Sequence, residues 1–471
     1  MHNYHRTTLF IDGQWAEPDG DGLIEVVDPA TEQVIGTVPN GSRADVDAAV
    51  ASARQAFDPL ITVAERRDRL AAVIDAMEKR LPDIAETITA EMGAPVRIAQ
   101  SVQTQVPLAV ARGFARVLED FEFEEQVDNS LVLREPYGVV GAITPWNYPL
   151  YQVVAKVLPA IAAGCTVVLK PSNEAPLSVF EFVEALEDAG LPAGVVNLVS
   201  GPGRVIGERL AEHPEVDFVS FTGSTGVGAR VGEIAGRTVK KVALELGGKS
   251  ANVILEGADL PTAVKVGVGN AFLNGGQTCM AWTRMLVPQS GYHEALELIE
   301  AAVAKYTVGD PWDPATRIGP SASASQYETV RGYIQRAVRD GARLLVGGDE
   351  KVSEVGYFVA PTVFADVDPY SELGQEEVFG PVLAVIPYTD DGDALRIANA
   401  TPYGLSGAVW AADKEAAIEF ARGVQTGQLD INGGAYNPIA PFGGYKRSGI
   451  GRELGRAGFE EYLQTKSLQL P

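Results

Sequence analysis

The chain has 471 residues, 46% of them apolar and 21% charged, a composition that collapses into packed cores and excludes a disordered chain. Lys plus Arg number 38 against 62 Asp plus Glu, a formal net charge of −24, which speaks against nucleic acid and anionic membrane surfaces as partners. With 2 cysteines, 4 histidines and neither HExxH nor CxxC, a disulfide framework is excluded and no metal is expected.

The early chain is strand and turn. Asp12-Gly13 lies between apolar stretches and predicts a hairpin. From Ser42, a plausible N-cap, the residues Val46, Ala49, Val50, Ala53 and Phe57 recur at helical spacing. Leu70, Val73, Ile74 and Met77 mark a second helix. Pro82 suits the first turn of a third, which Gly93 and Pro95 stop. Residues 117–136 interleave acidic side chains with Phe121, Phe123 and Val127, and read either as a solvated strand pair or as an arm toward a second subunit.

From Gly138 the text alternates. Buried-type strands are expected at 139–143, 166–169, 195–199 and 218–221, with helical patterns at 158–163, 177–189 and 204–212 between them. That alternation predicts a parallel sheet with crossover helices. It begins again from Leu244, as a second α/β unit. Residues 463–471 read as a strand with no partner in their own domain. The run 157–169 is too short to cross a bilayer, and the N-terminus lacks a leader pattern, so the expected location is cytoplasmic.

Ligands on parallel sheets bind beyond the carboxyl ends of the strands, so those ends carry the candidates. Pro145-Trp146-Asn147-Tyr148-Pro149 holds Asn147 between prolines, either as a fixed oxyanion donor or as a turn residue. Lys170, before Pro171, Ser172 and Asn173, reads as a ribose or phosphate ligand or as a surface lysine. Gly223 and Ser224 open a helix whose N-terminus suits an anion. Glu245, flanked by leucines, would have a raised pKa and serve as a general base. Cys279 follows Gly275-Gly276, whose backbone donors favour the thiolate; the alternative is a buried small hydrophobe, the reading Cys165 takes.

Seven motifs occur in order: PWNYP at 145–149, LKPSN at 169–173, FTGST at 221–225, LELGGK at 244–249, GQTC at 276–279, EEVFGP at 376–381 and PFGGYKRSGIGRELG at 441–455. Together they resemble the aldehyde dehydrogenase superfamily over nearly the whole chain. The resemblance implies an α/β fold: a Rossmann-like parallel-sheet NAD(P)-binding domain (1–116 and 137–246), a catalytic α/β domain (247–446) and a small β oligomerisation element (117–136 and 447–471). Pairing of the last strand with a second subunit would give a homodimer or homotetramer.

The resemblance also implies the chemistry. Cys279 attacks the aldehyde; the Asn147 amide and the Cys279 N–H hold the oxyanion; the thiohemiacetal becomes a thioester, and Glu245 activates the water that hydrolyses it. Coenzyme A as the acceptor is disfavoured because Glu245 is present. Glu377 and Phe379 look like nicotinamide-ribose and ring contacts, and Lys170 like an adenosine-ribose ligand. Trp146, Ser172, Asn173, Gly223, Ser224 and Leu246 complete the cofactor set, and Glu453 matches a supporting proton-relay position. NAD-preferring relatives usually carry Glu where this chain has Asn173, so both NAD and NADP are expected to be accepted.

The substrate pocket is expected from Tyr148, Tyr151, Gln152 and Ala155, at helical spacing, with Tyr436 and Phe442 from a late loop. Aromatic walls without Arg or Lys suit an uncharged aromatic or aliphatic aldehyde. The competing reading packs these rings into the core.

Overall fold

A computed structural model describes residues 4–471; the first three residues of the 1–116 stretch, with part of the N-terminal leader reading, lie outside the described residues. Two large sheets organise the chain. The first has eight strands, in the order Gly449–Ile450, Lys241–Glu245, Phe218–Thr222, Val139–Ile143, Thr166–Lys170, Val196–Leu198, Leu9–Ile11 and Gln14–Ala16. The five from Lys241–Glu245 to Val196–Leu198 run parallel. VVGAI and TVVLK are buried at every position, as strands covered by helices on both faces must be. Their register brings Ile143, Lys170, Thr222 and Glu245 to one edge.

The hairpin Leu9–Ile11/Gln14–Ala16 adds an antiparallel margin. Asp12 (φ 55°) and Gly13 (φ 73°) are both left-handed, as its two-residue turn requires. Ser42 caps the helix Arg43–Ala56 in a capping box with Asp45.

Two expectations need correction. The second and third helices are one 30-residue helix, Val63–Met92, with Pro82 inside it. Proline removes one helical hydrogen bond there. Apolar burial on both sides of it, at Val73, Met77, Leu81, Ile84 and Ile88, outweighs that loss. Gly93, left-handed at φ 74°, ends the helix. The second α/β unit begins at Ala251 and not at Leu244, because residues 241–245 pair in register with Phe218–Thr222.

The second sheet has seven strands: Arg343–Val346, Thr362–Ala365, Val382–Tyr388, Arg284–Pro288, Ala251–Ile254, Gly407–Trp410 and Asp430–Ile431. All neighbouring pairs are parallel except the first.

Residues 117–136 begin in the helix Gln105–Asp120 and continue as the antiparallel pair Glu124–Val127 and Ser130–Pro136. The strand Leu463–Gln469 pairs with Ser130–Pro136 along its whole length. Its partner therefore lies in the same chain, and the need for a neighbour is met without a second subunit. Phe121 and Phe123 of this segment meet Phe459 edge-on, with centroids 4.8 and 6.1 Å from it. No helix of the described residues is long and apolar enough to cross a membrane.

Phe459 is fully buried at the root of the arm. Phe459→Ala is expected to cost about 3–5 kcal/mol in urea unfolding; a loss under about 1 kcal/mol would show that this cluster does not anchor the three-stranded sheet.

Candidate active site

The loop carrying Cys279 has an uncommon backbone. Asn274 (φ 54°), Gly275 (φ 65°) and Gly276 (φ 73°) are successive left-handed residues. A Cβ on Gly276 would strike the carbonyl oxygen of Gly380 and approach the nitrogen of Pro381 to 2.8 Å. GQTC and the FGP of EEVFGP thus pack backbone on backbone, which only glycine permits. On the opposite side, a Cβ on Gly248 would come within 2.6 Å of the Cys279 carbonyl oxygen. One on Gly247 would collide with the Glu377 carboxylate, and the Gly248 N–H donates to that carboxylate at 2.9 Å. The two glycines of LELGGK therefore let both Cys279 and Glu377 close in.

Asn147 is tied to the same loop. Its side-chain Nδ2 donates to the Gln277 carbonyl at 3.0 Å. Its own carbonyl accepts from Gln103 Nε2 and Asn274 Nδ2, both at 2.9 Å. The Gln277 Oε1 accepts from the Ala322 N–H at 2.9 Å. Strand end and nucleophile loop are therefore one hydrogen-bonded body.

Two cavities meet at Cys279. One, of about 270 Å³, is lined by Trp146, Asn147, Gly223, Ser224, Leu246, Glu377 and Phe379, together with Cys279. Trp146 and Phe379 stand edge to face in it, 5.5 Å apart. The other, of about 300 Å³, is lined by Tyr148, Tyr151, Gln152, Tyr436 and Phe442, again with Cys279. Tyr148 shares a hydrogen bond with the Thr278 hydroxyl at 2.8 Å, and Tyr151 one with Tyr436 at 3.1 Å.

Some expected residues lie elsewhere. Ala155 does not line the second cavity; it packs in the main core, because the helix Pro149–Ala163 is buried all round. Tyr148 caps that helix and is not part of it. Lys170, Ser172 and Asn173 do not line the first cavity. Lys170 is buried, its pKa brought down to about 8 by burial, and it donates to the Pro171 carbonyl. The Ser172 hydroxyl donates to Glu174, and Asn173 Oδ1 is buried without a partner.

Other lining residues were not singled out from the sequence. Val102, Val106, Asn270, Leu273, Met280 and Asp430 join the second cavity, and Gln326, Thr329 and Tyr333 the first, where Thr222 and Gly247, both inside quoted motifs, also stand. Thr278 and Met280 could have been taken from their adjacency to Cys279. The others come from helices and strand ends whose pattern says only which face is inward.

Burial shapes the electrostatics. It pushes the Cys279 thiol well up, and the charges of Glu377, Glu245 and Glu453 add to the effect; only the Met280 N–H opposes them. The expectation that the glycine-rich turn favours the thiolate is corrected accordingly. Glu245 is buried with neither oxygen hydrogen-bonded. Burial, then the Glu453 charge, raises its pKa well above the carboxylate range, against Lys156 and Arg452. Lys156 and Glu453 form a buried ion pair, and Glu453 Oε2 has no further partner. Burial brings Glu377 up to about 7.

The sequence profile of the aldehyde dehydrogenase family matches residues 15–468. A 3-succinoylsemialdehyde-pyridine dehydrogenase from a Pseudomonas species is 48% identical over 473 residues, covering 99% of both chains. Among solved structures, aldehyde dehydrogenase C of Pseudomonas syringae, a cysteine mutant in complex with NAD+ and octanal, superposes with a TM-score of 0.97 at 44% identity, over 99% of this chain and 97% of that one. A Mycobacterium tuberculosis aldehyde dehydrogenase complexed with NAD+ gives 0.97 at 42% identity, over 100% of this chain and 99% of that one.

Gly276→Ala adds a methyl against the Gly380 carbonyl at a left-handed position. It is expected to lower Tm and to cost about 1–3 kcal/mol; an unchanged Tm with unaltered thiol reactivity would show that the loop does not depend on this contact.

Proposed function

The chain belongs to the aldehyde dehydrogenase family, and on that footing we propose that Cys279, Asn147 and Glu245 carry the oxidation of an aldehyde to a carboxylic acid at the junction of the two cavities. The protein is an NAD(P)-dependent aldehyde dehydrogenase of α/β fold. What supports the residue roles is one observation: Cys279 is the side chain that both cavities share, with Asn147 beside it in one and the tyrosines in the other.

The first cavity fits a nicotinamide cofactor. It opens at the carboxyl ends of parallel strands, offers a half-buried carboxylate at Glu377 for ribose hydroxyls, and presents Thr222 Oγ1, buried and unpartnered. Trp146, Gly223, Ser224, Leu246 and Phe379 would form the remaining walls. Lys170, Ser172 and Asn173 would hold the adenosine end from the neighbouring strand. When bound, the nicotinamide accepts a hydride from the substrate carbon.

The chain's own groups do the rest. Cys279 releases its proton to solvent as its sulfur bonds to the carbonyl carbon, moving the π pair onto oxygen. The Asn147 amide has two N–H donors, and one is already on Gln277, which leaves one for that oxyanion beside the Cys279 N–H. After hydride loss the carbon is a thioester on Cys279. Glu245, a base with a raised pKa, takes a proton from water as its oxygen bonds to that carbon. The carbon–sulfur bond then breaks and the acid leaves. Glu453, paired with Lys156, supports proton return from Glu245.

The second cavity takes the aldehyde. None of its described lining residues is Arg or Lys, while Tyr148, Tyr151, Tyr436 and Phe442 give it aromatic walls. That speaks against an anionic aldehyde and supports an aromatic or aliphatic one. The domain limits expected from the sequence, homodimeric or homotetrameric assembly, and a cytoplasmic location belong to the same reading. The free Cys165 and Cys279 agree with a reducing compartment.

Reduced-cofactor absorbance with benzaldehyde or hexanal tests the roles. Cys279→Ala is expected to lose about 10³-fold in turnover. Glu245→Gln is expected to release one equivalent of reduced cofactor in a burst and then slow about 10²-fold. Near wild-type turnover in the cysteine variant removes Cys279 from its role.

Asn173 lacks the charge that would repel a 2′-phosphate, so NADP is expected within about 100-fold of NAD in kcat/KM; a larger preference for NAD overturns this.

A further inference from the structure

We propose that Asp430 selects, among aldehydes, those carrying a cationic nitrogen remote from the carbonyl, and disfavours those ending in an anion. The proposal rests on the reading of the second cavity as the aldehyde site. Asp430 opens the edge strand Asp430–Ile431, where it pairs in register with Ala408, so its backbone is fixed by the sheet. It is the one charged residue among the described residues that line the cavity.

Its surroundings leave that charge uncompensated. No Arg, Lys or His lies within ion-pair distance of it among the described residues, although the chain makes many such pairs elsewhere. Its one side-chain hydrogen bond is from the Gln428 amide at 3.5 Å, the long limit of such contacts. It is half-buried, and burial raises its pKa. Its charge acts on Tyr436, whose hydroxyl bonds Tyr151 inside the cavity. The neighbouring wall is apolar: Val106, Leu273, Met280 and Phe442.

A carboxylate kept in such a wall without a counter-charge is unfavourable. A cation on the substrate supplies what is missing, and the tyrosine faces add cation–π attraction. An anionic tail places two like charges in a poorly solvated space. The same group therefore attracts one class and repels another, which is how specificity is built.

A matched set of substrates tests this with the holoenzyme. 4-(Dimethylaminomethyl)benzaldehyde carries the cation, 4-isobutylbenzaldehyde is its neutral isostere, and 4-carboxybenzaldehyde carries the anion. The readout is the ratio of kcat/KM values, in wild type and in the near-isosteric Asp430→Asn, with Asp430→Ser as a second variant. The cation-to-neutral ratio is expected to fall at least about fivefold in the variants, and the anion-to-neutral ratio to rise by as much. Smaller changes in both ratios overturn the proposal, as does a wild-type preference for the anion over the cation. If wild type oxidises hexanal but none of the three, the proposal fails while the family activity stands. If it oxidises no aldehyde, the functional reading fails first.

Discussion

The position of Cys279 rests on a backbone contact. Gly276 can lie against the Gly380 carbonyl because it has no Cβ in the way, and the lack of one on Gly248 lets the Cys279 carbonyl approach. Asn147 is locked to the same loop through the Gln277 carbonyl, so donor and nucleophile move together or not at all. Preorganisation of this kind matters because a donor aimed at a developing oxyanion costs no reorganisation when the charge appears.

The acids around the sulfur follow from that placement. Glu245 ends a parallel strand on the same edge as the cavity mouth, and the contact with Gly247 brings Glu377 close. Glu245 is buried and Glu377 half-buried, and both hold their protons more tightly than exposed carboxylates do. Cys279 responds in the same direction, since burial and neighbouring negative charge both oppose a thiolate. Lys156 and Glu453 form a buried ion pair in the interior nearby.

The second cavity has a wall of a different kind. Its walls are rings and aliphatic side chains, and its hydroxyls are spent on one another: Tyr148 on Thr278, Tyr151 on Tyr436. Asp430 stands apart from that pattern as the one charged residue among the described lining residues.

Much of this was legible in the residues. The alternation of apolar runs and helical stripes is local, and it announced the parallel sheet. The seven motifs singled out Cys279, Asn147, Glu245 and Glu377 as candidates, because glycines and prolines at strand ends leave marks in the text. Pro82 misled because helix propensity is a weak local term beside the burial of the long helix on both sides of it. Ala155 misled because a helix apolar on every face does not say which stripe meets a cavity. The last strand's partner, the place of Val102 and Asp430 in the cavity wall, and the upward shift of the Cys279 thiol were decided only by tertiary structure. Pairing across more than three hundred residues, cavity walls drawn from separate elements, and desolvation are properties of distances in space, which no stretch of sequence contains.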